Sequence, residues 1–358
     1  MEQSMSLRTT AIAAAAALAS LSAFGQGSTV TVGGVWDAAV RSVKNSQGTM
    51  LSEVSGSNST TRMFIRGSED LGGGWKAGFH IEGTMFSDTG TTSAQFWDRQ
   101  STVNLSGPWG EVRLGRDWVP SFLSYAAADP MGYVGVGGMG TLVSPTATVA
   151  NTRAFGAVPP TTSRSNNAVE YWLPDLGGFY GQFMMGAGEN SNASGSFKLE
   201  GGRLGFRAAG ADVSAHLTQS RIDATGSKWS ESGVTGIYMT GGGIRLTAAW
   251  VDLKYMSSKQ STLLVGVSVP MGPHAIRASY GRADQKGTDA AGKSIDDNDG
   301  QLYALSYVYN LSKRTALYAN AARVNNKGKA TYAIAGGPAG AAPGTNYDGY
   351  EFGLRHAF

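Results

Sequence analysis

Three arginines, Arg62, Arg99 and Arg164, are the residues of this chain best suited to charge chemistry, and each lies at an end of a stretch of alternating polarity. In TRMFIRGSED, Arg62, Phe64, Arg66 and Ser68 share one side while Met63 and Ile65 take the other. In WKAGFHIEG, Lys76, His80 and Glu82 oppose Trp75, Ala77, Phe79 and Ile81. Arginine stays charged at any working pH and is weakly hydrated, so it can attract a carboxylate or phosphate and release it again. Arginines lining an aqueous passage select anions. Glu82 is the acidic counterpart on the same face as Arg62, and Asp117 is a second carboxylate at the start of a long connection. Arg66 extends the basic face about 6.6 Å farther along its strand, and Arg113 reads as a wall residue near a tight turn. The plainer alternative is that each arginine pairs with a nearby carboxylate and stiffens the wall.

Other chemistry finds little support. GVGGMG, Gly135 to Gly140, fits a dinucleotide-binding pattern, but no buried parallel strand precedes it and no convincing helix follows. His80, His216, His274 and His356 are scattered without metal-ligand spacing. No serine sits in a G-x-S-x-G elbow. Asp296, Asp297 and Asp299 form an acidic patch that reads as a solvated loop with at most weak affinity for a divalent cation. No cofactor is implied.

The elements that must position the charges are strands. Runs of roughly ten residues with period-2 alternation recur from Gln26 onward. Very short connections (Asp70 to Gly74, Gly107 to Gly110, Asp175 to Gly178, Ala208 to Asp212, Thr240 to Gly243, Pro270 to Pro273, Asn310 to Thr315) alternate with long ones (Asn45 to Thr60, Phe86 to Gln95, Trp118 to Ser165, Lys286 to Asn298, Lys327 to Asn346). Sixteen strands can be counted, the first over 28–41 and the last over 348–358. In an antiparallel barrel that spans a membrane, tight turns lie on one side and long loops outside. Leu263, Val265, Val267 and Val269 form one apolar stripe; Tyr303, Leu305, Tyr307, Tyr309 and Leu311 form another. A soluble sandwich would show the same stripes, but polar opposite faces on strand after strand imply a wet interior. Tyr350, Phe352, Leu354 and Phe358 share a face of the last strand.

Composition agrees. With 51 glycines among 358 residues and no sustained helical period, the chain reads as all-β, and its 41% hydrophobic content is compatible with a barrel that alternates lipid-facing and water-facing residues. The absence of cysteine removes disulfides and thiolate metal sites. A net charge of only +3 argues against a nucleic-acid partner. Residues 1–25 read as a secretory signal, with Arg8, an apolar run from Ala11 to about Leu21, and small residues before Gln26. Residues 26–358 form the barrel domain.

The segments STVTVGGVWDAAV, TRMFIRGSEDLGGGWKAGFHIEG, DRQSTVNLSGPWGEVRLGRD, YWLPDLGGF, YVYNLSKRTALYANAA and GLRHAF, taken in order from end to end, resemble the general porins of β-proteobacteria. That resemblance implies a homotrimeric, sixteen-stranded outer-membrane channel in a lipid bilayer, passing small hydrophilic solutes and anions by diffusion. It also implies that the third loop, 118–165, without clear secondary structure of its own, folds into the lumen, and that Arg62, Arg99 and Arg164 cluster at the narrowest section. Strict alternation from Val103 and Leu105 would put Arg99 on the lipid side, so its inward placement rests on the resemblance and on an expected bulge near the strand end. Gly33-Gly34 departs from the usual first strand, and the third loop is unusually rich in Gly, Pro and Ala. Competing readings are a substrate-specific channel for a carboxylate or phosphate, a barrel hydrolase, which should pair Ser with His on a lipid-facing edge, and an adhesin with a closed lumen.

Overall fold

The computed structural model describes residues 27–143, 155, 163–188, 197–221 and 227–358; the secretory signal expected over 1–25 lies outside them. The strands are β1 (Thr29–Asn45), β2 (Gly48–Ser55), β3 (Arg62–Gly72), β4 (Trp75–Phe86), β5 (Thr91–Thr92), β6 (Gln100–Gly107), β7 (Gly110–Trp118), β8 (Arg164–Trp172) and β9 (Phe179–Ala187). They continue as β10 (Phe197–Ala208), β11 (Ala211–Arg221), β12 (Lys228–Met239), β13 (Arg245–Tyr255), β14 (Ser258–Met271), β15 (His274–Gly287), β16 (Gly300–Asn310), β17 (Thr315–Asn326) and β18 (Tyr347–Ala357). Among the described residues, helices α1 (Pro120–Ala128) and α2 (Gly140–Val143) follow β7.

Every pairing is antiparallel. β1 closes the ring: it pairs with β18 from Val35↔Ala357 to Lys44↔Asp348, and on its other side with β3 along its first half and β2 along its second. β2 is thus the return arm of a hairpin, and β5 adds only two residues beside β4. Leaving these two out of eighteen strands gives sixteen staves, the number expected from the sequence. An even count lets first and last strands meet antiparallel, so the sheet has no open edge. The segment Asn45 to Thr60, expected as loop, is largely this hairpin, because β1 stays paired four residues past the anticipated end at 41 and turns at Gly48, whose φ is +129°.

Alternation along each strand puts apolar residues outside and polar residues inside. On β11, Val213, Ala215 and Leu217 are exposed while Ser214, His216, Thr218 and Ser220 are buried; on β16, Tyr303, Leu305 and Tyr307 are exposed and Ser306 is buried. A water-soluble domain does the reverse. An exposed apolar belt around a polar lining is what hydrocarbon demands of a spanning barrel. No helix among the described residues is long and apolar enough to cross a membrane. Leu305→Arg, halfway along β16 on the outward face, should therefore cost about 2–4 kcal/mol of barrel stability. Urea unfolding in lipid vesicles checks this, and a change below about 1 kcal/mol, the range of ordinary surface substitutions, would contradict the lipid-facing assignment.

The lining is not polar throughout. Ala249, Val251, Leu253, Leu264, Leu302, Ala304 and Val324 also point inward, and loop residues cover them. Met131, Val136, Met139, Leu142 and Val143 come from the third loop; Ala330, Tyr332 and Ile334 come from the connection between β17 and β18. That last connection was expected outside with the other long loops. It turns inward because alternate residues of ATYAIA are apolar and find an apolar patch, while the Tyr332 hydroxyl donates to Gln260 Oε1 at 2.7 Å. Asn326 fixes the turn by donating to the carbonyl oxygens of Tyr332 (2.8 Å) and Thr345 (2.6 Å).

Candidate functional site

The third loop, expected without secondary structure, begins with α1. Pro120 occupies a first-turn position, where its missing N–H costs nothing, and the helix lies on the inward face of β10 to β14. Ser124 Oγ is 3.4 Å from Ser214 Oγ, the Tyr125 ring meets His216 at 6.0 Å, and Arg245 donates to the Ala127 carbonyl. Asp129 ends the helix and organises the turns beyond it: its carboxylate accepts backbone N–H bonds from Met131 (2.9 Å), Tyr133 (3.1 Å) and Met139 (2.7 Å). Burial raises the Asp129 pKa above the ordinary aspartate value, and those three N–H groups oppose the rise.

The GVGGMG segment owes its glycines to close approach rather than to a phosphate. A Cβ on Gly137 would stand 2.6 Å from Ala304 Cβ, and one on Gly135, at φ +68°, would meet the Ser57 carbonyl and Glu351 Oε2. Beside them the Val136 N–H donates to Glu351 Oε2 at 3.1 Å. Glu351, 4% exposed, is the anchor of this end of the loop. Its Oε1 accepts from Arg41 Nε (2.6 Å) and Ser57 Oγ (2.8 Å), and its Oε2 accepts also from Asn320 Nδ2 (2.9 Å). Nearby, Asp37 accepts the backbone N–H groups of Asn58 (3.0 Å) and Ser59 (2.7 Å) and the Tyr318 hydroxyl, which secures the segment between β2 and β3. The sequence reading missed Glu351 and Asp37. Each is the lone carboxylate on the inward parity of its strand, flanked on that face by Val35 and Ala39 in one case and by Gly349 and Gly353 in the other, and that pattern is the signal that could have revealed them.

A little farther round the same wall, Glu82 gathers the arginines. Arg62 Nε is 3.7 Å from Glu82 Oε2, and Arg99 Nε donates to Glu82 Oε1. Arg164 joins them through an aromatic plate: its guanidinium carbon is 3.6 Å from the Trp118 ring centroid and that of Arg99 is 5.2 Å. Phe122 of α1 stacks on the same indole at 4.6 Å. Arg99 reaches inward at the strand end as expected: β4 and β6 stay in register from Lys76↔Ser106 to Glu82↔Gln100, and the Arg99 N–H also donates to the Glu82 carbonyl at 3.1 Å, so Arg99 and Gln100 both stand against Glu82 in the two-against-one arrangement of a bulge. The pairing of Arg62 and Arg99 with one carboxylate is in part the plainer alternative raised from the sequence, yet with Arg116 and Asp98 within electrostatic reach of Arg164, four guanidinium groups stand near two carboxylates, a formal excess of two positive charges among the described residues. His80 Nε2 lies 3.7 Å from Glu82 Oε2.

Asp117 does not join this group. It is 1% exposed, accepts from Gln100 Nε2 (2.7 Å) and is bridged by Arg113 Nη1 (3.1 Å), which also pairs with Glu111 (2.7 Å). Arg113 is the wall residue it was expected to be. Arg66 lies over Phe64, 5.4 Å from its centroid, on the inward face as its parity requires. Three further inward arginines, Arg245, Arg277 and Arg355, sit near the tight-turn ends of β13, β15 and β18; they escaped notice because each is the one arginine on the inward face of its strand. Open space continues on both sides of the Glu82 group. A cavity of about 320 Å³ borders Arg41, Thr84, Phe86, Tyr133, Gly138 and Ala335, and one of about 370 Å³ borders Thr29, Arg66, His80, Gln100, Asn104 and Glu111. No group of metal-ligating side chains able to hold an ion occurs among the described residues. Asp296 accepts the Gly287 N–H (2.7 Å) and Asp299 pairs with Arg282 (3.5 Å).

Comparison with known proteins completes the picture. A sequence profile of the Gram-negative porin family matches residues 9–329. The outer membrane porin protein 32 of Delftia acidovorans is 33% identical over 313 residues, covering 84% of this chain and 85% of that protein. The solved anion-selective porin from Comamonas acidovorans superposes with a TM-score of 0.80 at 32% identity, covering 93% of this chain and all (100%) of that one. The in-vitro folded OmpT of Vibrio cholerae, in a trimer form, matches with a TM-score of 0.62 at 14% identity over 93% of this chain and 100% of that chain, which speaks to the fold alone.

Proposed function

The chain belongs to the Gram-negative porin family, outer-membrane channels rather than enzymes, and from that premise we propose that its pore prefers anions because Arg62, Arg99 and Arg164 are gathered beside Glu82. That grouping is the observation that carries the reading. An anion meets the formal excess of positive charge, while Glu82 keeps the guanidinium groups from holding it too long. The stacking of Arg164 and Arg99 on Trp118 fixes their planes, so the charges present themselves without the entropy loss of free side chains. Residues 118–165 act as the constriction loop, with α1 bringing Phe122 against Trp118. Arg66 continues the basic face into the lower cavity, and Arg355, Arg277 and Arg245 carry it toward the periplasmic mouth. Solutes pass by diffusion, and nothing in the route demands a cofactor.

The barrel works as a homotrimer after residues 1–25 are removed, with 26–358 as the channel domain. The relative named as anion-selective supports the sign of the preference.

The test is the zero-current potential of refolded protein in a planar bilayer across a tenfold KCl gradient. A potential of the sign set by chloride is expected, with conductance entering in groups of three equal steps. A potential of the sign set by potassium would overturn the anion reading, and single independent steps would overturn the trimer. Saturable block by a carboxylate or phosphate solute would instead favour the substrate-specific channel.

A further inference from the structure

The outward face of β13, β14 and β15 changes character at one level. Away from the tight turns, β13 presents Leu246, Ala248 and Trp250, then Asp252 and Lys254; β14 presents Val267, Val265 and Leu263, then Ser261 and Lys259; β15 presents Ile276, Ala278 and Tyr280, then Arg282, Asp284 and Lys286. The register aligns these positions. Lys254 faces Lys259, which faces Lys286, and beneath that row Asp252, Ser261 and Asp284 form another. Three ammonium-bearing side chains therefore stand side by side on adjacent strands, each about 4.8 Å from the next at the backbone.

Like charges directly opposite each other destabilise a sheet. The protein answers only one of the three. Lys259 Nζ lies 3.1 Å from Asp252 Oδ2, and Asp252 is itself held by Ser261 Oγ (2.6 Å) and Trp250 Nε1 (3.1 Å). Neither Lys254 nor Lys286 forms an ion pair with a described residue. The row sits at the strand ends opposite the tight turns, the extracellular side of such a barrel. It crowns a lipid-facing band with Trp250 and the Tyr280–Tyr303 pair, whose rings meet at 5.1 Å, just below it. Aromatic side chains of this kind mark the level where acyl chains give way to headgroups.

We propose that Lys254, Lys259 and Lys286 form a binding site for the phosphate groups of a phosphorylated lipid in the outer leaflet, whose acyl chains run down the stripe of Trp250, Leu263, Val265 and Tyr280. A multiply charged headgroup relieves the lysine–lysine repulsion and fills the gap between the two unpaired ammonium groups. The apolar stripe directly below selects a lipid over a free anion, because only a lipid engages both surfaces.

The experiment is lipid retention by the refolded full chain in detergent, read by native mass spectrometry. The probes are diphosphoryl lipid A and its dephosphorylated form, with inorganic phosphate as competitor. Wild type should retain the phosphorylated lipid at least tenfold better than the dephosphorylated one. The Lys254→Gln, Lys259→Gln, Lys286→Gln triple variant should lose that preference, and the corresponding triple Arg variant should keep it. Unit conductance and zero-current potential should be unchanged in both variants, since the row faces away from the lumen; this readout also shows that the barrel is folded and keeps the test separate from the pore assignment. Undiminished retention by the Gln variant, or equal retention of the dephosphorylated lipid by wild type, would sink the proposal. Complete displacement by millimolar inorganic phosphate would show an anion site rather than a lipid site, which also overturns it.

Discussion

Replacing Arg62, Arg99 and Arg164 together by glutamine is expected to lower the chloride-to-potassium permeability ratio by about tenfold or more. A unit charge about 5 Å from a passing ion contributes roughly 0.8 kcal/mol even at the dielectric constant of water, about a fourfold bias per charge. With Arg116 and Asp98 counted, the substitution takes the group around Glu82 from an excess of two positive charges to an excess of one negative charge among the described residues, so the three biases act together, reduced by screening at 0.1 M salt. Glu82→Gln should move the ratio the other way by about fourfold on the same reasoning. Zero-current potentials of the two variants and the wild type in one salt gradient decide the matter: unchanged potentials in the triple variant would place the selectivity elsewhere in the lumen. The single variants should not add up to the triple, because Arg62 and Arg99 share one carboxylate and Arg99 and Arg164 share one indole.

Glu351→Ala is expected to produce the largest structural effect of any lumenal substitution. It strands the Arg41 guanidinium, Asn320 Nδ2 and the Val136 N–H, all of which donate to that carboxylate. Breaking a buried ion pair from one side costs about 3–5 kcal/mol, because the remaining charge stays desolvated. Since Val136 belongs to the third loop, the loss should also appear in the pore, as noisier open-channel current and a larger mean conductance. Thermal unfolding gives the first quantity and single-channel recording the second. Removing both partners, Arg41→Met with Glu351→Leu, should restore much of the stability while leaving the current noisy. A quiet, wild-type trace from Glu351→Ala would mean that the loop is held by its apolar contacts with Ala304, Leu302 and Val324 instead.

Those apolar contacts mark where reading the sequence stopped being sufficient. Alternation identified Ser214, His216 and Thr218 as one face and Val213 and Leu217 as the other, and it put Arg62 and Glu82 on a common side. It could not distinguish an inward residue facing water from one facing another part of the chain. Leu264 and Leu302 thus look like anomalies on a wet face until Leu142 and Tyr332 are seen to cover them. The glycines of GVGGMG have the same origin: a spacing that imitates a phosphate loop is produced by a chain pressed against Ala304 and Glu351.

The order of amino acids alone dictated the strand period, the tight turns, the count of sixteen staves and the face on which each stave carries its charges. All of these follow from a backbone whose side chains alternate every residue and turn where Gly permits it. Which charges meet was settled by contacts between distant parts of the chain. Arg99 escapes its parity because it and Gln100 both stand against Glu82, Asp117 is drawn to Arg113 rather than to the arginine group, and Glu351 finds Val136 from 215 residues away. Such encounters depend on how the ring closes and on which loop fills it. A two-residue periodicity, being local, carries no information about partners across a lumen.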